Sequence, residues 1–298
     1  MFGWNSITRE DYKKAYNCYG GSVINHPDVL DFIHERKECK QKYLGLHSSD
    51  GQLISAICLW GRYLSGDVKA NELYNIRDDY DFGYPEIILP IKNGTRVIVP
   101  AKAVHLSELN KEQVVNSTFS HNKNRTLCFA KDLGVNGFSS KSKNTRRKEL
   151  KKFTSAGGCV YDVSDFSADT LRDIYTTLYK IRWKEEHPHY SQLNDMMGRL
   201  KNMIFGHVLM LHDTPAAFHF VLKASCREWN SYEYINGGVN TELSEFSPGT
   251  IVTWLNVERS NLESESEGKI ARYSFGRNSA EYKKRWANDS KVGKILFL

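Results

Sequence analysis

Apolar and polar residues alternate along this chain with two periods, one typical of helices and one typical of strands. In the first half, two helical stretches precede two predicted strand hairpins: a helix from Thr8 to Tyr19, a helix from Pro27, and hairpins over residues 42–63 and 87–99. Thr8 and Gly20 supply the cap and the stop of the first helix. The turn of the second hairpin is expected at Asn93-Gly94.

The second half is predicted to begin with a basic helix over residues 141–156, followed by alternating strands and helices. The expected elements are a strand at 159–163, two amphipathic helices of which the first is capped by Ser167, a hairpin at 207–224, a strand at 229–236, a helix opened by Ser247-Pro248, a strand at 271–275, and a short helix capped by Asn278. The element order is therefore β-α-α-β-β-β-α-β-α.

We predict an α/β (α+β) fold with two tandem lobes, each a mixed, mostly antiparallel sheet flanked by helices. The length of 298 residues suits about two domains. The hairpins at 43–58 and 208–220 resemble each other weakly, which favours two copies of one architecture. Glycine and serine between residues 134 and 140 suit a joint. The expected lobes are residues 1–135 and residues 136–298, the second led by the basic helix.

Composition excludes several classes of protein. Hydrophobic residues make up 40% of the chain and charged residues 26%, which is enough for a folded core. Apolar runs such as Leu53–Trp60 are far shorter than the roughly 20 residues that cross a bilayer, and the first residues lack the pattern of an export signal. Six scattered cysteines argue against a disulfide scaffold and structural zinc. We expect a soluble protein of a reducing compartment.

The net charge of +6 is concentrated in one segment. Between Ser139 and Lys152, only Glu149 opposes seven basic residues: Lys141, Lys143, Arg146, Arg147, Lys148, Lys151 and Lys152. Such a patch suits a phosphate-rich partner, namely an anionic membrane surface, a tRNA or a charged cofactor. A solvated basic helix face is the alternative. DNA is disfavoured as a partner, because the sequence offers no helix with base-reading side chains.

The element order of the second half resembles the GNAT acyltransferase fold, specifically its tandem branch with the Fem-type aminoacyl transferases. Three stretches carry the resemblance: residues 143–150 leading to Gly157-Gly158, residues 246–250 at a helix start, and residues 273–277 followed by 282–286. Together they span about half of the chain. The resemblance implies a donor of acyl or aminoacyl groups, with an acyl-coenzyme A or an aminoacyl-tRNA as the candidates, and no metal.

A closer resemblance, to the macrophage-inducible (Mig) family, covers nearly the whole chain. It rests on Gly20-Gly21-Ser22 with His26-Pro27, on residues 85–90, and on residues 233–239. This resemblance implies a protein of Gram-negative bacteria that protects against cationic antimicrobial peptides of the host. It also implies a cytoplasmic protein peripherally associated with the inner membrane. The family name supplies a role but leaves the reaction open.

The GNAT resemblance places the donor at the start of the helix that follows Ser247. A helix N-terminus offers unpaired N–H groups and a positive dipole end to a pyrophosphate. The candidate donor-binding residues are Ser247, Gly249, Thr250 and Arg277. The chain departs from the coenzyme A pattern, because Glu245 lies where a positive residue would help and Pro248 removes one donor. An ordinary helix start is the alternative.

Amide formation requires a base for the amine and an acid for the leaving group. Glu233, on the strand before the loop, is the candidate base, acting directly or through a water molecule. The GNAT resemblance implies that Tyr282, in the last short helix, is the candidate acid, because those enzymes often have a tyrosine near the leaving sulfur at this position. The alternatives are an ordinary surface glutamate and an ordinary packing tyrosine. The histidines of residues 187–189 lie beside Pro188 in a loop and do not have metal-ligand spacing. The remaining strand histidines, including His219, are interpreted as strand-end or pocket-wall residues.

Two functions remain open at this stage. One is a membrane-peripheral transferase that moves an acyl or aminoacyl group to an amine of the envelope or of the cationic peptide itself. The other is a catalytically degenerate GNAT-like scaffold that binds lipid or peptide. Simple electrostatic capture of cationic peptides is disfavoured, because the basic patch has the wrong sign. The transferase hypothesis requires two neighbouring strands to diverge beside Ser247 and open a wedge for an anionic group.

Overall fold

Local sequence signals set most helix boundaries in the computed structural model, which describes residues 3–120, 125–134 and 137–297. The α-helices are α1 (Arg9–Tyr19), α2 (Pro27–His34), α3 (Val68–Leu73), α4 (Ser140–Ser155), α5 (Ala168–Trp183), α6 (Tyr190–Arg199) and α7 (Pro248–Ser266). The side chains of Thr8, Ser139 and Ser167 accept hydrogen bonds from first-turn N–H groups, as expected of N-caps. The predicted basic helix is confirmed as α4.

The strands form three sheets. They are β1 (Trp4–Ser6), β2 (Gln41–His47), β3 (Leu53–Trp60), β4 (Tyr63–Leu64), β5 (Ala103–Leu106), β6 (Ser117–Thr118), β7 (Thr126–Ala130), β8 (Gly158–Asp162), β9 (His207–Leu211), β10 (Thr214–Ser225), β11 (Trp229–Val239), β12 (Ile270–Arg277), β13 (Ala287–Lys291) and β14 (Gly293–Ile295). The sheet orders are β1-β2-β3-β4, β13-β7-β12-β11-β10-β9-β8, and β5-β14-β6. The predicted mixed, mostly antiparallel α/β architecture is confirmed.

The two halves of the chain exchange strands. The strand β7 comes from the first half and lies between β12 and β13 in the seven-stranded sheet. In return, β14 from the C-terminal end lies between β5 and β6. Neither of these sheets is built from one half alone. The division into residues 1–135 and 136–298 therefore stays a prediction, and Val135 and Asn136 at the predicted joint lie outside the described residues.

Two local predictions are wrong. Residues 87–99 do not form a hairpin: Ile87, Ile91 and Val97 make isolated bridges to Leu106, Ser55 and Val114. The apolar residues of this segment are buried against other parts of the chain. Backbone groups of those parts therefore replace the hydrogen-bond partners that a local hairpin would have supplied.

The C-terminal region also departs from expectation. Residues Glu281–Arg285 form a 3₁₀ helix without a side-chain cap. Instead of capping it, the Asn278 side chain donates to the Asp289 carboxylate, at 2.9 and 3.1 Å. The strands β13 and β14 follow and were not predicted, because β13 is largely polar and shows no apolar alternation.

The core joins both halves through buried aromatic and charged contacts. The Trp229 ring fills the space above Gly20, where a Cβ atom would lie 2.1 Å from Cζ2 of that ring. Its indole N–H donates to the Gly21 carbonyl oxygen at 3.0 Å. Glu86, which is 2% exposed, forms an ion pair with Arg272 on β12. These contacts fix the N-terminal half against one face of the seven-stranded sheet.

Candidate functional site

Strands β11 and β12 diverge and open a cavity. They pair in parallel from Trp229 with Ile270 to Glu233 with Ser274, and no pairing between them follows in the described residues. Beyond that point β11 continues along β10, and β12 continues along β7. A cavity of about 450 Å³ lies at this divergence. The predicted wedge beside Ser247 is therefore present.

Seven segments of the chain contribute residues to the cavity wall. It consists of Arg182 from α5, His219 from β10, Tyr234 and Val239 from β11, Asn240, Thr241 and Ser244 from the following segment, Ser247, Pro248, Gly249, Thr250 and Thr253 at α7, Phe275 from β12, and Tyr282, Arg285 and Trp286 near the C-terminus. Among these described residues there are two arginines and no aspartate or glutamate. The cavity therefore favours anionic and uncharged groups over cations.

The N-terminus of α7 lies in the cavity wall with an unusual geometry. Ser247 has φ 53° and ψ 48°, in the left-handed region that non-glycine residues rarely adopt, and its side chain makes no capping bond. The Thr250 N–H donates to the Ser247 carbonyl oxygen at 2.9 Å. Gly249 is the first-turn residue whose N–H has no acceptor in the described part of the chain. The Ser247 side chain therefore does not cap α7, and the Thr250 N–H is not free to bind a ligand.

Gly249 allows α7 to approach β11 closely. A Cβ atom at this position would lie 3.0 Å from Cγ2 of Val239, which also lines the cavity. Any side chain at Gly249 must therefore displace Val239 or extend into the cavity. This makes Gly249 the most direct position at which to block the cavity without removing a charge.

Two exposed arginines at the cavity were not identified from the sequence. Arg182 is in the last turn of α5, where a basic residue is common, and its Nη1 donates to the Gly237 carbonyl oxygen at 2.8 Å. Arg285 is at the end of the 3₁₀ helix. Only the tertiary structure brings them together, because 103 positions separate them along the chain. No local sequence signal marks either residue as functional.

Tyr282 lines the cavity, as its predicted role requires. The side chain is partly exposed, and partial burial raises its pKa above the ordinary value while the Arg182 charge opposes that rise. The neighbouring Lys283 is buried and donates from Nζ to the carbonyl oxygens of Phe275 and Arg277, both at 2.6 Å. These bonds fix the 3₁₀ helix to the end of β12 and hold Tyr282 beside the cavity. Its role as the acid stays a prediction.

Glu233 and Arg277 lie outside the cavity. Adjacent strand residues point to opposite faces, so Glu233 faces away from the cavity that Tyr234 lines. The Glu233 carboxylate is buried and accepts a hydrogen bond from Ser274 Oγ at 3.1 Å. Burial raises the pKa of Glu233 well above its ordinary value, so the group favours its neutral form. Arg277 instead stacks on the Tyr84 ring, with Cζ 4.0 Å from the ring centroid.

Three of the seven basic residues of α4 are engaged within the protein. Lys143 donates to the Leu133 carbonyl oxygen at 2.5 Å. Arg146 pairs with Glu149 at 3.1 Å and lies 5.6 Å from the centroid of the Trp286 ring. Lys152 donates to the Glu245 carbonyl oxygen at 2.8 Å. Through Trp286 and Glu245 these contacts place α4 directly beside the cavity.

The other four basic residues of α4 are exposed: Lys141, Arg147, Lys148 and Lys151. Helix α4 is packed through Phe153, which is fully buried. The exposed side of α4 therefore carries four basic residues that no described contact neutralises. Whether this surface binds an anion stays a prediction.

No group of three or more histidine, cysteine, aspartate or glutamate residues in residues 3–120, 125–134 and 137–297 is arranged to hold a metal ion. Across the same ranges, no helix has both the length and the apolar character needed to cross a membrane.

Comparison with solved structures defines the fold class. FemX superposes with a TM-score of 0.62 at 10% sequence identity, over 99% of this chain and 97% of FemX. A conserved protein of unknown function from Bacteroides thetaiotaomicron gives a TM-score of 0.52 at 11% identity, over 99% of this chain and 100% of its own. The chain therefore has the same fold as FemX.

Comparison with family profiles defines the family. The Mig-14 profile matches residues 26–295, and the chain belongs to the Mig-14 family. The family resemblance seen in the sequence is thereby confirmed. A search among curated proteins found no significant match.

Proposed function

We propose that this protein transfers an acyl or aminoacyl group from an anionic donor to an amine. The observation that carries the proposal is the cavity at the divergence of β11 and β12, with the start of α7 and two arginines in its wall. In this arrangement a donor carbonyl group inserts between the strands while its anionic part contacts Arg182, Arg285 and the Gly249 N–H. Electrostatic preorganisation of this kind is a major source of rate enhancement in group transfer.

Among anionic donors, an aminoacyl-tRNA suits the surface better than an acyl-coenzyme A. Pro248 and the Ser247–Thr250 hydrogen bond leave Gly249 as the main backbone donor at α7, which is a weak clamp for a pyrophosphate. Helix α4, whose exposed side is basic, packs beside the cavity through Arg146 and Trp286, and a polyanion uses an extended basic surface whereas a small cofactor does not. Coenzyme A stays the second donor to test.

The acceptor and the cellular role form the second part of the proposal. We place the protein at the cytoplasmic face of the inner membrane, where the exposed basic residues of α4 contact anionic lipids at about 1 kcal/mol per residue. Modifying an envelope amine, or an amine of the peptide, changes charge and so weakens peptide attack. Direct capture of cationic peptides by the cavity is disfavoured, because its wall carries Arg182 and Arg285 and no described carboxylate.

One observation favours a second candidate function, a scaffold that binds lipid or peptide without catalysis. The predicted base, Glu233, lies on the opposite face of the sheet and is buried. A fold of this class that lacks a base at the cavity retains binding and loses chemistry. Both candidate functions allow an anionic group to occupy the cavity. They differ because only the transferase consumes the donor.

Calorimetry on the full chain tests the proposal. The titrants are acetyl-coenzyme A, deacylated tRNA and aminoacylated tRNA, and the variants are Gly249→Val and the matched control Gly198→Val. A Cβ atom at Gly198 meets nothing within 4 Å, so the control adds the same side chain in open space. We expect binding of at least one donor, loss of binding in Gly249→Val, and no change in Gly198→Val. Absence of binding to every donor would refute the transferase function.

A second measurement separates the transferase from the scaffold. The full chain is incubated with the bound donor and a mixture of primary amines, and amide products are sought by mass spectrometry. The transferase requires an amide that forms with the wild type and is lost in Gly249→Val. Donor binding that never yields an amide, with turnover unchanged from the uncatalysed rate, would favour the scaffold.

A further inference from the structure

Tyr234 brings a hydroxyl group to the cavity wall at the point where strands β11 and β12 separate. It follows the last pair of residues that joins these strands, Glu233 with Ser274, and it lines the cavity. Its side chain is half-buried and so keeps some exposure. Among the described side chains, Arg182 alone acts on the hydroxyl oxygen as a hydrogen-bonding partner, and a guanidinium group can only donate. The hydroxyl proton is therefore left without an acceptor.

Packing fixes where this hydroxyl group lies. The Tyr234 ring contacts the His219 ring edge to face, with centroids 4.9 Å apart, and its centroid lies 5.8 Å from that of the Phe275 ring. A Cβ atom at Gly237 would lie 2.6 Å from the hydroxyl oxygen. Arg182, which also lines the cavity, donates to the carbonyl oxygen of the same glycine at 2.8 Å. The hydroxyl group therefore lies beside the guanidinium group in the cavity wall, and its oxygen is not one of the polar atoms enclosed without a partner.

The charged and titratable groups near Tyr234 keep its hydroxyl group protonated. Burial raises the pKa of Tyr234 above the ordinary value, the neighbouring Tyr282 adds to that rise, and the Arg182 charge opposes it. Arg182 also opposes the rise that burial causes in the pKa of Tyr282. A protonated hydroxyl group beside a fixed positive charge, both held in place before a ligand arrives, is an arrangement that stabilises a developing negative charge.

Tyr234 and Tyr282 reach the cavity from different elements, β11 and the 3₁₀ helix, and both feel the charge of Arg182. The carbonyl oxygen and the leaving atom of an acyl donor are bonded to one carbon atom, so the groups that serve them must converge. Tyr282 is the predicted donor to the leaving atom. Tyr234 is then available to the carbonyl oxygen, which gains negative charge when an amine attacks.

We propose, on the basis of the transferase function above, that the Tyr234 hydroxyl group donates a hydrogen bond to the donor's carbonyl oxygen and stabilises the oxyanion that forms there. The uncharged amine forms the C–N bond to the acyl carbon, and an electron pair of the C=O bond moves to the oxygen. The pair then returns, the bond from carbon to the leaving oxygen or sulfur breaks, and the proton lost by the amine ends on that leaving atom. Tyr234 keeps its own proton throughout.

Infrared spectroscopy on the full chain tests this hydrogen bond directly. The probes are acetyl-coenzyme A and aminoacylated tRNA, each labelled with ¹³C at the acyl carbonyl group. We expect the carbonyl band of the bound donor to lie at lower frequency than that of the free donor, because a hydrogen bond weakens the C=O bond. The shift should disappear in Tyr234→Phe and in Gly237→Ala, whose Cβ atom would displace the hydroxyl group. An unshifted band of the donor bound to the wild type would overturn the proposal.

The rate of amide formation separates a catalytic hydrogen bond from a structural one. The control, Tyr161→Phe, removes the hydroxyl group of an exposed tyrosine on β8. We expect kcat to fall about a hundredfold in Tyr234→Phe while donor Kd changes less than about threefold, because the bond strengthens as charge develops on the oxygen. Tyr161→Phe should change neither quantity. Weaker donor binding in Tyr234→Phe with kcat unchanged would show a role in binding alone and contradict the proposal.

The outcomes separate this inference from the transferase function. If donors bind and amides form equally fast in the wild type and in Tyr234→Phe, the role of Tyr234 is wrong and the transferase proposal stands. If the carbonyl band shifts through Tyr234 but no amide forms, the transferase proposal fails and the hydrogen bond stands. If no donor binds, both fail. Thermal melting of each variant checks folding, and if Tyr234→Phe does not fold, Gly237→Ala, which keeps the tyrosine, decides.

Discussion

The Arg182 side chain is joined to the Gly237 backbone by a 2.8 Å hydrogen bond from Nη1 to the carbonyl oxygen. The bond links the C-terminal end of α5 to β11 in the part of that strand that has left β12. It holds a guanidinium group, which carries five N–H donors, at the cavity. The position of this charge therefore depends on the divergence of the two strands.

Substitution of Arg182 tests the charge of the cavity. We expect Arg182→Ala to weaken binding of the anionic donor by about ten- to a hundredfold, because a hydrogen bond to a charged group contributes about 1.5–3 kcal/mol. Arg182→Lys is expected to recover part of the affinity, since it keeps the charge and loses the planar fork. Calorimetry measures both. The control, Arg199→Ala, removes an exposed arginine that pairs with Glu35, and unchanged affinity in Arg182→Ala would contradict the prediction.

The exposed residues of α4 predict a salt-dependent contact. Reversal of Arg147, Lys148 and Lys151 to Glu is expected to weaken binding to tRNA and to vesicles that contain phosphatidylglycerol. The slope of log affinity against log salt should fall by about one unit for each lost phosphate contact. Arg146 is left unchanged because it pairs with Glu149.

Fluorescence titration at several salt concentrations measures this effect. The melting temperature should stay unchanged, because all three residues are exposed. Lys42→Glu on β2 serves as a single-site control with a distant exposed lysine. Binding to tRNA that weakens while binding to vesicles persists would assign α4 to the donor, and the reverse result would assign it to the membrane. An unchanged salt slope for both would contradict the prediction.

The environment of Glu233 predicts a pH-dependent stability. Its pKa is raised in the folded state, mainly by burial, so the folded protein binds this proton more tightly than the unfolded chain does. The associated stability is fully present below about pH 4.3, the ordinary value, and is lost as the pH rises towards the folded value.

We therefore expect Glu233→Gln, which retains an acceptor for Ser274, to gain free energy of unfolding relative to the wild type between pH 4 and pH 8. Urea unfolding at several pH values measures the difference, with the exposed Glu185→Gln as control. Donor binding should be unchanged, since Glu233 lies outside the cavity. A loss of turnover with normal donor affinity would instead restore Glu233 to the role of base.

His219 predicts the opposite pH dependence. Its pKa is lowered to about 3, so its contribution to stability is present above about pH 6.5 and is lost as the pH falls towards 3. The wild type is expected to lose more stability than His219→Asn on acidification from pH 7.5 to 5, by up to about 1.4 kcal/mol per pH unit. The pKa values of His34 and His105 are also lowered, to about 4. Both residues are present in the wild type and in His219→Asn, so their contributions cancel in the comparison. Equal losses would show that the ring is charged when folded.

The backbone conformation of Ser247 predicts that a substitution at this position changes the stability of the protein. Its φ of 53° is strained for serine, so Ser247→Gly should raise the free energy of unfolding by about 1 kcal/mol. Ser247→Ala keeps the strain and should leave stability unchanged, because the side chain makes no capping bond. Chemical denaturation distinguishes the two. A loss of about 1 kcal/mol in Ser247→Ala would mean that the hydroxyl group caps α7 after all.

Much of the fold could be predicted because its signals are local. A cap such as Thr8 or Ser167 acts on N–H groups two or three positions away, and apolar periodicity records which side of an element is buried. Segments whose partners are distant did not follow these signals. Residues 87–99 bridge to three separate parts of the chain, and the polar strand β13 pairs with β7 from the other half.

The candidate site divides in the same way. Local sequence patterns were enough to predict the start of α7 and the basic helix α4, because each depends on neighbouring residues. The orientation of Glu233 away from the cavity, and the convergence of Arg182, His219 and Arg285 on it, depend on three-dimensional packing. The physical reason is that a cavity forms between elements distant in sequence, whose packing depends on the whole core and leaves no periodic pattern at any one of them.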